Sequence, residues 1–213
     1  SYWRSLTDVL DGDSRSVCWL HIDLSEGNRS RLRASRNSLD ALNSASTRSR
    51  HALLQDLMTM RVAFRAIRLC IRIQHLQEVA FVPGSWIHQE SGIDCTRLVS
   101  SAWSAHLSGT GAARTAIWLA IFDGLAESVP SSSLGLFLME NQPWELALAR
   151  AWHARGHEPL VGAVHSVAHV CDLRYAIGGA ADRTTRTSLP AADFIATIGA
   201  DSRTVLERNG YAP

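Results

Sequence analysis

Two short segments concentrate side chains that can move protons or hold sugars and phosphates. The first, Glu140-Asn141-Gln142-Pro143-Trp144-Glu145, puts a carboxylate and two amides just ahead of a proline placed where the first turn of a helix tolerates one. A helix start of this kind favours an anion through its dipole and its free amides. Glu140 is therefore a candidate general base for an incoming hydroxyl, with Asn141 and Gln142 as sugar-hydroxyl partners. The plainer alternative is a polar strand-to-helix turn in which Glu145 serves as a first-turn helix acid. The second segment is His165-Ser166, followed within ten residues by His169, Asp172, Arg174 and Tyr175. An imidazole at a strand end can act as a base or hold a substrate phosphate.

Other chemistries have less behind them. His165, His169 and Asp172 are spaced four and three apart, so they would share a face if this stretch were helical, as metal ligands do. The β-branched residues between them and the lack of a neighbouring acid count against it, and nothing in the sequence requires a metal. No GxSxG elbow, P-loop or GxGxxG fingerprint occurs, so an activated serine, ATP hydrolysis and dinucleotide binding lose their usual support.

Both segments need a frame, and the pattern supplies one. Leu134 to Met139 and Leu160 to Val164 are continuous apolar runs of strand length, and Asp193 to Ile198 is a third. Between the first two, Trp144 to Arg155 is helical, with Gly156 as its stop, and Asp201 is expected to cap a last helix running to Asn209. Strands alternating with helices predict a parallel sheet with helices on both faces, an α/β Rossmann-like fold. In open sheets of this class ligands sit beyond the carboxyl ends of the strands, where Glu140 and His165 fall.

The first half is more helical. Val17 to Asp23 suits a buried strand, and Ser25 to Arg50 is expected to be loop or poorly ordered helix. Leu53, Leu57, Met60, Phe64, Ile67 and Ile71 then form one stripe of a long amphipathic helix ended by Pro83-Gly84. Arg61, Arg65, Arg68 and Arg72 follow one residue behind, a second stripe about 100° around the helix. It is either a solvated face or a surface for phosphates and anionic lipid headgroups. Thr96 or Asp94 is expected to cap a helix through His106, Gly109 to Gly111 breaks it, and Ala112 to Glu127 forms another. Trp103, Trp118 and Trp152 are expected in the core, while Trp86 and Trp144 sit at loop or cap positions that also suit sugar stacking.

The 213 residues (23.3 kDa) hold enough apolar matter for a core, 46% against 19% charged. Twenty-one basic and 20 acidic residues balance, which argues against a nucleic-acid binder or an acidic tail. Every basic side chain is Arg. Cys18, Cys70, Cys95 and Cys171 are scattered without a CxxC pair, which fits buried thiols in a reducing compartment. The chain begins at Ser1 without a signal-peptide pattern, and its ends suggest a piece of a longer protein.

Met139 to Leu148 (MENQPWELAL), Val161 to Ser166 (VGAVHS) and Asp172 to Tyr175 (DLRY) together resemble the bacterial surface carbohydrate (O-antigen type) biosynthesis proteins, glycosyltransferases of the two-lobed GT-B type. In that family an E-N-Q-P-W-E segment precedes a G-x-x-H-S strand end and an L-R-Y-F segment; Ala176 departs from the last. Pro190 to Gly210 is similar to the family's P-D-x-I-x-x-x-G plus helix, and SYW at Ser1 and WLHI at Trp19 are compatible with it. The resemblance implies a single Rossmann-like lobe over residues 1–213, with the C-terminal donor-binding lobe missing. It implies sugar transfer from a nucleotide sugar to a glycan or lipid-linked glycan acceptor, without a cofactor. Glu140 would be the base, and His165 a second base or a contact to donor phosphate. Asn141, Gln142, Glu145, Ser166, Asp172 and Arg174 would position sugar or phosphate groups. The setting would be cytoplasmic, at the inner membrane face, with peripheral contact through the arginine stripe. A non-catalytic sugar- or nucleotide-binding module and a small hydrolase using His165 with Asp172 are the alternatives.

Overall fold

The computed structural model describes residues 9, 16–22, 29–45, 48–79, 92–131, 133–140, 142–165, 190–209 and 211. The chain is mixed α/β with parallel strands in two small sheets, and it divides into two compact units, Ser1–Arg61 and Val62–Pro213.

In the first unit β1 (Val17–His21) pairs in parallel with β2 (Ser49–Leu53), with Val17 opposite Ser49 and His21 opposite Leu53. The crossover is α1 (Arg29–Ala45), where the sequence suggested loop or poorly ordered helix. Its less exposed side is a narrow row of Leu32, Ser35, Leu39 and Asn43, helical in spacing but half polar, so apolar periodicity alone hides it. Asn43 explains the polar member. Its side chain donates Nδ2 to the His51 carbonyl at 2.9 Å and accepts the His51 amide at 2.6 Å, clamping β2 against the helix end. Leu53 and Leu54 are almost fully buried and a 3-10 turn, Leu54–Leu57, follows. The long helix expected from Leu53 therefore begins seven residues later.

The second unit is built on β3 (Gly135–Leu138), β4 (Leu160–Ala163) and β5 (Phe194–Ala196), all parallel in the order β3-β4-β5. Its described helices are α2 (Met60–Val79), which starts at the end of the first unit, α3 (Thr96–Leu107), α4 (Gly109–Ser128), α5 (Pro143–Ala154) and α6 (Gly199–Arg208). Asp94 accepts the Thr96 amide at 2.8 Å and starts α3. Gly109, at φ 49°, makes the break before α4. Asp201 lies in the first turn of α6 rather than capping it, because the chain already turns at Gly199, at φ 78°.

One face of this sheet is well filled. Gly135 makes room for Trp152 of α5, since a Cβ there would lie 2.5 Å from Leu160 and 3.0 Å from the indole. Met139, Val164 and Leu206 of α6 form a buried cluster with Phe137 and Ile195 packed on it. Alternation along the strands puts Gly135, Phe137, Met139, Leu160, Gly162, Val164 and Ile195 on this side, so both α5 and α6 cover it. Leu136 and Phe194, on the opposite side, are exposed. Where the sequence predicts helices on both faces, the described helices α5 and α6 pack on one. No described helix is long and apolar enough to cross a membrane.

Candidate functional site

The ladder of the three-stranded sheet runs one residue past its strands. Met139 donates its amide to the Ala163 carbonyl, and Val164 donates to that of Ala196, each at 2.9 Å. Both side chains are sunk in the core, Met139 at 5% and Val164 at 2% exposure. Because Leu138 stands opposite Ala163, the next residues but one, Glu140 and His165, leave the sheet opposite each other. Their side chains meet there. His165 Nε2 stands 3.3 Å from Glu140 Oε1, and the two remain 31% and 40% exposed.

Glu145 sets the turn that delivers Glu140. Its carboxylate is buried at 5% exposure, and its Oε1 accepts the backbone amides of Glu140 at 2.9 Å and Gln142 at 3.0 Å. This is the reach-back of a capping box, with Pro143 in the first turn where no amide is needed. Glu145 thus faces the chain's own backbone and acts by positioning. Trp144 packs beside Phe122 at 6.0 Å and edge-on to Phe137 at 6.1 Å, tying the start of α5 to α4 and β3. Trp152 is buried, as expected of it, whereas Trp103 and Trp118 are half-buried. Asn141, Ser166, His169, Asp172, Arg174 and Trp86 lie outside the described residues.

Sequence spacing gave no sign of two other clusters. In the second unit Asp193 Oδ2 accepts the Leu160 amide at 2.8 Å and lies 3.1 Å from His153 Nε2, joining β5, β4 and α5. Burial pushes this carboxyl up, but the hydrogen bonds from Leu160, His153 and its own amide, together with the charge of His153, hold its pKa below the ordinary value. In the first unit His21 Nε2 lies 3.0 Å from His51 Nδ1, and Trp19 stacks on His51. Burial lowers both imidazole pKa values, and for His21 the neighbouring His51 adds to it. Partners 30 and 40 residues apart become neighbours only through strand register in the histidine pair and helix-on-sheet packing in the Asp193–His153 pair, which no local motif reveals. Among the described residues no three His, Cys, Asp or Glu side chains gather as a metal site.

The arginine stripe separates. Arg65 turns toward α4, pairing with Glu127 at 2.7 Å and lying 3.9 Å from Asp123, while Arg61, Arg68 and Arg72 stay exposed. Against protein-family models, curated proteins and solved structures the chain gives no significant match.

Proposed function

We propose that the second unit is the acceptor-side part of a glycosyltransferase of the GT-B type, acting in bacterial surface polysaccharide synthesis. The observation that carries the reading is the Glu140–His165 pair at the carboxyl edge of the parallel sheet, 3.3 Å apart and open to solvent. The resemblance of the segments that hold these two residues supports it.

In the proposed reaction an acceptor hydroxyl gives its proton to the Glu140 carboxylate. Its oxygen bonds to the anomeric carbon of the nucleotide sugar, and the bond from that carbon to the phosphate oxygen breaks, releasing the nucleoside diphosphate. His165 contacts one oxygen of Glu140 and orients the carboxylate, leaving the other for the acceptor. The rigid strand ends hold the pair, which is what proximity catalysis demands. Glu145 contributes by holding the turn, and Gln142 lies beside it for sugar hydroxyls. The donor is held mainly by a lobe outside this chain.

Ligand-detected NMR with short lipopolysaccharide-type glycans and nucleotide sugars tests this. The expected result is glycan binding that drops in Glu140→Gln and in His165→Ala, with weak or no nucleotide-sugar binding and no turnover by this chain alone. Tight nucleotide binding, or hydrolysis by the chain on its own, would contradict the assignment.

A further inference from the structure

Helix α2 has two apolar faces, and among the described residues only one is packed. Val62, Ala66 and Ile73 are buried at 5–7% exposure, and Ile73 packs with Ala112 and Ala116 of α4. About 150° around the helix, Met60, Phe64, Ile67 and Ile71 point outward at 72%, 61%, 57% and 51% exposure. Scattered exposed apolar residues are ordinary; four in one row, spaced 4-3-4, are not. Arg68 and Arg72 line one edge of the row, both exposed. No acidic residue occurs between Met60 and Leu76 on either edge.

We infer that this face of α2 is a docking surface for an anionic lipid bilayer, with the four apolar side chains inserted at the headgroup boundary and Arg68 and Arg72 on lipid phosphates. This inference does not depend on the proposed transferase activity. Three observations favour a membrane over other occupants. The charge is of one sign, so a second copy packed on the same face brings arginine against arginine. The row spans only about 16 Å on a single convex helix, and paired with itself it reaches at best the roughly 1,000 Å² at which stable interfaces begin. A partner helix needs a groove, whereas a convex apolar ridge with long guanidinium stems beside it is the shape that sinks into an interface. Arg65 is outside the surface, because its guanidinium is engaged by Glu127.

Co-sedimentation of the full chain with vesicles of phosphatidylglycerol and phosphatidylcholine, and with vesicles of phosphatidylcholine alone, is the test. Binding to the anionic vesicles only, weakening with salt, is expected. Each of Arg68→Gln and Arg72→Gln should weaken it roughly fivefold. Phe64→Ser and Ile67→Ser should each weaken it on the order of tenfold or more, through lost apolar burial. Circular dichroism should show unchanged helix, since these side chains are exposed, and Arg65→Gln should bind vesicles like the parent chain. No vesicle binding, equal binding to neutral vesicles, or binding indifferent to Phe64→Ser and Ile67→Ser would overturn the inference. So would a dimer in sedimentation velocity that Phe64→Ser dissociates, which would assign the face to a second copy.

Discussion

Each unit holds a parallel sheet with a polar pair on adjacent strands, yet the two pairs are built differently. In the first unit His21 and His51 lie within the strands of a two-stranded sheet whose one buried apolar side chain is Leu53. In the second, Glu140 and His165 lie just beyond the strands, each one residue after a side chain sunk in the core. Two strands bury little and are marginal without further packing. Three strands under α5 and α6 give strand ends that cannot drift, and a pair placed there is both held and accessible. That contrast explains why the stronger candidate site is in the second unit, although the histidine pair is as close.

The contrast can be broken most severely at the core. Trp152→Ala should cost the second unit about 3–5 kcal/mol, because the indole fills the space left by Gly135 and also hydrogen-bonds the Glu158 carbonyl at 2.7 Å. Leu53→Ala in the first unit should cost about 2–3 kcal/mol, since a leucine gives up less buried surface than an indole. Urea unfolding of the two variants measures both, and equal losses would undo the comparison. Glu145→Ala should come next, at about 1–3 kcal/mol, by leaving the Glu140 and Gln142 amides unpaired. Hydrogen exchange at those two amides should accelerate; unchanged exchange would mean that Glu145 does not hold the turn.

Acid sharpens the comparison further. His21 and His51 have lowered pKa values, so the folded first unit binds fewer protons than the unfolded chain just below the ordinary histidine value of about 6.5. Its stability should be full above that pH and fall as pH drops through it. Asp193 is also lowered, but from the carboxylate range, so what it contributes to the second unit stays until pH falls below about 3.9. Imidazole titration by NMR should place His21 and His51 below 6.5, with the first unit weakening before the second. Midpoints at or above 6.5 would reverse the sign.

Much of this was legible in the sequence where one signal sufficed. Apolar runs located β1, β3, β4 and β5 to within a residue or two, and Pro143 located the start of α5. The sequence pattern puts Glu140 and His165 each at a strand end, but their meeting depends on β3 and β4 being neighbours in register, which the structure supplies. What escaped depends on tertiary context. β2 (Ser49–Leu53, SRHAL) has no apolar run and is a strand only because β1 accepts it. The stripe through Met60, Phe64, Ile67 and Ile71 was periodic, but Val62, Ala66, Leu69 and Ile73 repeat equally well. Spacing cannot say which row faces inward, and packing on α4 chose the second. Arg65 left its stripe for Glu127, a residue 62 positions away.

The central claim is that Glu140 and His165 act as one unit on a sugar hydroxyl. A double-mutant cycle on glycan affinity, using Glu140→Gln, His165→Ala and the double variant, tests it most directly. The account predicts that each single change weakens binding roughly five- to tenfold and that the double variant is little worse than either. Losses that simply multiply, or a glycan that binds all four proteins alike, would contradict it.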